Sequence, residues 1–325
     1  MRRIFLRAAL SCVALAIPFA AAAQDGGSYP HKSVRLIVPF PPGGGTDAIA
    51  RALGERMSVD LKQSMVIDNK PGAGGMIGAE ATARSPADGY TLFVGTNSSL
   101  VTNKFLYAKM PYDPDGFELI GLVGITPLVV VINPAVPART IPELVAYAKA
   151  NPGKLTYASF GNGTTSHLAA ELFKQRAGID MLHVPYKGAS EALPAIIGGQ
   201  VSVYFYTIVS SIPHVKSGKL LALGVTSAKR SQTLANVPTI AEQGYPGYDM
   251  YPWYGLVAPK GTPKEVLEKL RASLTRALAD PKLVERLGPT GAEVTPMTAA
   301  EFQEFVRIDT VKTEKVVKAA GVALN

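Results

Sequence analysis

Short β-branched runs alternate along this chain with stretches whose apolar residues recur at helical spacing. Val34 to Val38 suits a buried parallel strand. Pro39, Pro41 and Pro42 end the ladder, and Gly43 to Gly45 let a backbone approach a ligand with no Cβ in the way. Thr46 reads as the N-cap of a helix over 46–58, with Ile49, Ala50, Leu53 and Met57 on one face. A strand at 65–68, a turn-rich loop at 69–75, a helix over 76–83 and a strand at 90–95 follow, the last ending in Thr96-Asn97-Ser98-Ser99. Such alternation predicts an α/β fold with an open parallel sheet, in which ligands bind beyond the carboxyl ends of the strands. The loops at 40–46 and 95–99 both belong to that edge.

The apolar run over 119–133 is long enough to carry the chain into a second domain, where the alternation restarts. Thr140-Ile141-Pro142-Glu143 is a capping box opening a helix to 150. A strand over 155–159 leads into Phe160-Gly161-Asn162-Gly163-Thr164-Thr165-Ser166-His167, and a helix follows with Leu168, Leu172 and Phe173 on one face. This is a second strand, glycine loop and helix start of the same design as the first. Strands at 181–184, 201–206 and 220–226, helices at 190–197 and 209–217, and a short helix over 237–244 complete the segment. Residues 251–259 return the chain. Thr262-Pro263-Lys264-Glu265 reads as a capping box for a long amphipathic helix carrying Val266, Leu267, Leu270, Leu274 and Leu278, and Thr298-Ala299-Ala300-Glu301 as another for the last helix.

Composition changes this picture mainly at the start. Arg2, Arg3 and Arg7 precede an apolar run from Ala8 to Phe19, and Ala21-Ala22-Ala23 offers a small-residue cleavage site. Residues 1–23 therefore read as a signal peptide, with cleavage near Ala23 and an exported product. The one cysteine, Cys12, lies inside that segment, so the mature chain has no thiol or disulfide chemistry. The net charge of +8 falls to +5 without the three arginines (8 − 3 = 5). The remaining basic residues are dispersed, which excludes a nucleic-acid stripe and leaves a mild field attractive to acidic small molecules.

The candidate constellation is the pair of glycine loops. Each opens a helix, and a helix start presents free N–H groups and the positive end of the dipole, so it favours an anion. If the two face one cleft, a carboxylate is held by main-chain N–H groups and by the hydroxyls of Thr46, Thr164, Thr165 and Ser166, with Asn97 and Ser98 adding polar contacts. Each hydroxyl serves equally well as a simple N-cap. Enzymatic chemistry finds little support. The first loop lacks the Gly-Lys-Ser/Thr ending of a phosphate loop and the spacing of a dinucleotide fingerprint. Ser166 and His167 are neighbours on one helix and point apart. His31, His167, His183 and His214 show no metal-ligand spacing. Asp47 reads as a helix-start acid, not a base, and Trp253 as a packing residue at the crossover.

Taken together, residues 38–47, 69–75, 85–92, 183–188, 198–201 and 237–244 resemble the tripartite tricarboxylate transporter receptors, the Bug-type periplasmic solute-binding proteins. These stretches run in order through nearly all of the mature chain. The resemblance implies a type II-like, two-domain periplasmic-binding-protein fold with two crossover segments and a cleft between the domains. It implies a first domain of residues 24–127 and 254–325 and a second of 128–253. It further implies a non-enzymatic, cofactor-free and metal-free monomer that binds a small carboxylate and delivers it to a two-subunit membrane permease. The site it implies comprises Phe40, Pro41, Gly44, Gly45, Thr46 and Asp47 from one loop and Gly161, Gly163, Thr164, Thr165, Ser166 and His167 from the other. An exported carboxylate sensor and, less well supported, an exported hydrolase remain as alternatives. One departure stands out: the family's usual aspartate after Gly-Gly-Gln-Val is absent, and Val201-Ser202-Val203-Tyr204-Phe205-Tyr206 follows instead. Tyr204 and Tyr206 share one strand face and are expected to line the cleft, or else to pack in the core, suggesting a ligand with an apolar or aromatic body.

Overall fold

Two separate sheets accommodate the β-branched runs. The computed structural model describes residues 29–186 and 188–324. The proposed signal peptide and Lys187 lie outside the described residues. The chain first builds β1 (Val34–Val38), α1 (Gly45–Leu61), β2 (Met65–Asn69), α2 (Met76–Ala83), β3 (Thr91–Thr96), α3 (Asn103–Leu106) and β4 (Phe117–Ile125). It then builds β5 (Leu128–Ile132), α4 (Ile141–Ala150), β6 (Thr156–Ser159), α5 (Thr165–Ala177), β7 (Leu182–Pro185), α6 (Ala189–Ile197), β8 (Val203–Thr207), α7 (Ile208–Lys216) and β9 (Leu221–Val225). It closes with β10 (Trp253–Pro259), α8 (Lys264–Leu278), α9 (Pro281–Leu287), β11 (Glu293–Val294) and α10 (Ala299–Ala320).

The first sheet has the order β11-β4-β10-β3-β1-β2 and the second β7-β6-β8-β5-β9. The fold is the expected α/β, but neither sheet is purely parallel. β10 runs antiparallel to β3 and β4, and β5 runs antiparallel to β8 and β9. The cause is the pair of crossovers, which deliver β5 and β10 in the reverse direction. The apolar run over 119–133 is two strands, broken at Thr126-Pro127. β5 is buried at every position, as a strand covered on both faces must be.

The crossovers lie side by side. Trp253 pairs with Ile125, and the Thr126 N–H donates to the Pro252 carbonyl at 2.8 Å. On the far side the Leu128 N–H donates to Thr226 Oγ1 at 3.0 Å. Trp253, 1% exposed, packs edge-on against Phe302 and Phe305. α10 spans the junction: Phe302 belongs to the core of the first sheet, Val316 and Val317 to that of the second. Beyond it the Leu324 N–H donates to the Leu106 carbonyl at 2.7 Å.

Several local expectations need correction. The Thr298–Glu301 capping box is complete, but α8 has Pro263 at its N-cap and no side-chain cap, because Thr262 donates instead to the Pro259 carbonyl at 2.7 Å. Burial of Leu267, Leu270, Leu274 and Leu278 holds that helix without one, at about 1.5–3 kcal/mol per side chain. The helix expected over 237–244 shrinks to a 3-10 turn, Ala241–Gln243. α9 and β11 carry too little periodicity to be read from sequence.

A polar network ties α10 to the returning crossover. Trp253 Nε1 donates to Asp309 Oδ2 at 2.8 Å, Lys312 Nζ lies 3.0 Å from Asp309 Oδ1, and the same ammonium donates to the Asp249 carbonyl at 2.7 Å. The Asp309→Ala substitution strands the buried Trp253 Nε1 and leaves Lys312 with only the Asp249 carbonyl, and urea unfolding should show a loss of about 3 kcal/mol. An effect below about 0.5 kcal/mol would mean the network has no share in stability.

Candidate functional site

The first glycine loop is shaped from behind by Asp47. This side chain, 3% exposed, accepts from the Gly43 N–H at 2.9 Å, from Arg51 Nε at 2.8 Å and from Asn69 Nδ2 at 2.9 Å. Asn69 Nδ2 also donates to the Phe40 carbonyl at 3.0 Å. Hydrogen bonds from Arg51, the Gly43 N–H and Asn69 outweigh the opposing effect of burial and hold the carboxyl down at about 2. Asp47 is thus committed to the loop. The helix also starts one turn position earlier than expected, at Gly45 with Gly44 as N-cap, because no side chain caps it. Thr46 therefore sits inside the first turn, leaving its hydroxyl free of the capping role.

The second loop is built differently. Thr164 is the N-cap of α5: its hydroxyl accepts from the His167 N–H at 3.4 Å and donates to the Gly161 carbonyl at 2.7 Å. Ser166 donates to the Phe205 carbonyl at 2.6 Å, docking the helix start on β8. Thr165 Oγ1 accepts from Asn97 Nδ2 at 2.7 Å. This bond joins the end of a first-sheet strand to the helix start of the second sheet.

The two helix starts converge on one cavity of about 240 Å³. Its polar lining is Thr46, Thr96, Asn97, Ser98, Thr164, Thr165, Ser166 and Thr207, and its apolar lining Phe40, Leu128, Phe160, Pro252 and Tyr254, with Gly74 between. No Lys, Arg, His, Asp or Glu lines it among the described residues. Burial raises the pKa of Tyr254, so the phenol is neutral near pH 7. Any charge brought here meets only neutral hydroxyls, an amide and the first-turn N–H groups of α1 and α5, which have no intrahelical acceptor.

Of the sequence-derived candidates, Phe40, Thr46, Asn97, Ser98, Thr164, Thr165 and Ser166 meet at this cavity. Pro41, Gly44 and Gly45 are exposed beside it, and Asp47 lies behind it. Gly161 shapes the second loop at φ +122°. Gly163 is a packing glycine at φ +72°, where a Cβ would meet Leu106 Cδ1 at 2.5 Å. A valine there would test the junction between the two bodies and not ligand contact. Tyr204 and Tyr206 are 0% and 3% exposed; they stack at 4.7 Å beneath Phe160 and do not line the cavity. Phe160 and Thr207 were discoverable, since each closes a strand at the binding edge. Leu128, Pro252 and Tyr254 arrive by way of the crossovers, and no local pattern marks them.

His167 and His183 stack face to face at 3.9 Å, and Tyr157 stacks on His183 at 4.7 Å. His167 Nδ1 accepts from the Gly163 N–H at 3.1 Å. Burial lowers both imidazoles to about 4, with Lys174 adding to the effect at each and the neighbouring ring also at His183. Ser159 Oγ and His183 Nε2 are 2.7 Å apart, a pairing invisible in sequence. Ser159 is 0% exposed, and its oxygen also takes the Gly161 N–H at 3.1 Å, so the pair clasps the loop and faces no cavity.

A family model described as the tripartite tricarboxylate transporter family receptor matches residues 49–322. The chain is 36% identical over 307 residues to protein BugT of Bordetella pertussis, covering 94% of each. It is similar to the solved structure of R. palustris Rpa4515 with adipate, with 36% identity, a TM-score of 0.77, and 91% of this chain and 99% of that one covered. It is also similar to MatC (Rpa3494) from Rhodopseudomonas palustris with bound malate, with 31% identity, a TM-score of 0.72, and coverage of 89% and 100%.

The histidine stack sets an acid limit on the second loop. The folded imidazoles protonate at about 4, against 6.5 for the free group. The unfolded chain therefore binds up to about two more protons between those values, and stability falls as pH drops through that window. Above about 6.5 the pair contributes no slope. Urea midpoints measured from pH 7.5 to 4 should show this decline, and the His167→Gln variant should lose about half of it. An unchanged slope in the variant would remove His167 as a source.

Proposed function

The chain belongs to the tripartite tricarboxylate transporter receptor family, and from that premise we propose that it captures one small organic carboxylate in the cavity between its two sheets. The observation that carries this is the convergence of two helix starts on a cavity lined by neutral donors. Anion recognition without a basic side chain needs oriented N–H and O–H groups, and the two helix starts and the lining hydroxyls supply them. The relatives with adipate and malate support the ligand class.

In this reading Thr46, Thr165, Asn97 and Ser98 contact the carboxylate, while Thr164 and Ser166 hold the helix start in place. The first domain takes residues 24–127 and 254–325 and the second 128–253, after removal of the signal peptide at about Ala23. The crossovers at Thr126 and Pro252 form the hinge, and ligand shifts an open–closed equilibrium by its extra contacts in the closed form. The protein works in the periplasm as a monomer and hands its cargo to a two-subunit permease. It carries out no chemistry: Ser166 and His167 are spent on the Phe205 carbonyl and the Gly163 N–H.

A thermal-shift screen across mono-, di- and tricarboxylates tests the class. A ligand at 100 times its Kd should stabilise the protein by about 2.7 kcal/mol. The Thr165→Val variant removes a hydroxyl from the proposed anion contact, and calorimetry should show about a tenfold weaker Kd. If no carboxylate shifts unfolding, the proposal fails.

A further inference from the structure

The cavity holds no charged side chain among the described residues, and three of its five apolar lining groups are aromatic rings. The Asn97–Thr165 hydrogen bond of 2.7 Å links polar lining groups of the two bodies. The apolar lining is Phe40, Leu128, Phe160, Pro252 and Tyr254, interleaved with hydroxyls such as Thr207, the cross-strand partner of Leu128. A second carboxylate on the ligand would find no cation there to pair it.

Phe160 is the lining ring that is backed by other rings. The residue after it, Gly161, is held by Ser159, whose Oγ accepts from the Gly161 N–H at 3.1 Å and donates to the Gly161 carbonyl at 3.2 Å. The Phe160 ring rests on two further rings, 5.4 Å from Tyr204 and 6.2 Å from Tyr206. These two stack at an interplanar angle of 21°. Tyr204 is fully buried, and its hydroxyl has no hydrogen-bond partner. The hydroxyl is therefore not what the position uses; the ring is. A preorganised aromatic wall of this kind is a binding surface for a flat apolar body, because ring contact needs no further ordering of the wall.

The geometry points to Phe160 as the specificity-determining residue, held in position by Tyr204 and Tyr206, and to an aromatic monocarboxylate as the ligand class. This rests on the carboxylate-receptor reading above and narrows it.

The test is calorimetry on the mature full-length protein with benzoate, adipate and malate as probes. Wild type should bind benzoate at least about tenfold more tightly than malate or adipate. Phe160→Ala should weaken benzoate about tenfold and malate by less than about twofold. Tyr204→Phe should keep the wild-type ranking, and Tyr204→Leu should shift it toward that of Phe160→Ala. A merely structural tyrosine would instead change stability and leave the ranking alone, which overturns its positioning role. The wild-type ranking stands as a test even if the alanine variant does not fold. Malate or adipate binding as well as benzoate overturns the aromatic assignment while the receptor reading stands. No binding of any of the three overturns the aromatic assignment, and the wider carboxylate screen decides the receptor reading.

Discussion

The cleft depends on the two crossovers lying side by side. Hydrogen bonds between Thr126 and Pro252, and between Leu128 and Thr226, make the two links one narrow band of backbone. The band fixes which edges of the sheets face each other. β1 and β3 end at the same edge from which β10 begins, since β10 runs the other way, and the second sheet presents β6 and β8 in the same sense. A single connection would leave the second body free to rotate. Two adjacent connections fix the strand ends opposite each other, and the helix starts above them share one cavity.

Charge is handled by keeping it out of the cavity and spending it on scaffolding. Asp47 holds the first loop from behind, with Arg51 on its outer side. Glu171, bonded to Tyr157 and 2.9 Å from Lys174, lies on α5 beyond the histidine stack. The loops are thus pinned by ionic and imidazole contacts, while the surface they present is neutral. Preorganisation by buried polar contacts suits a binding site, because the donors need not be reordered when ligand arrives.

Most of the element order was legible because local signals punctuate it: Pro39 ends β1, and Thr298 with Glu301 opens α10. Patterns local to a few residues decide those points. Strand direction was not legible, since it follows from where the crossovers deliver β5 and β10. Seven of the named site residues line the cavity, and the absence of Gly163, Tyr204 and Tyr206 from its lining has identifiable reasons. Gly163 looked like a ligand-approach glycine and is instead filled by Leu106 from the first body, a contact between residues distant in sequence. Tyr204 and Tyr206 were placed on one strand face correctly, but which face the core claims depends on Phe160 crossing in front of them.

The neutrality of the cavity has a calorimetric consequence. A receptor that binds an anion through a histidine or lysine near its pKa takes up or releases protons as it does so, and the buffer's own ionisation heat enters the measurement. Here no lining side chain titrates near neutrality, and the one phenol has its pKa raised. The enthalpy of capture is then the same in phosphate as in Tris. What governs capture across pH is the ionisation of the ligand, not of the protein.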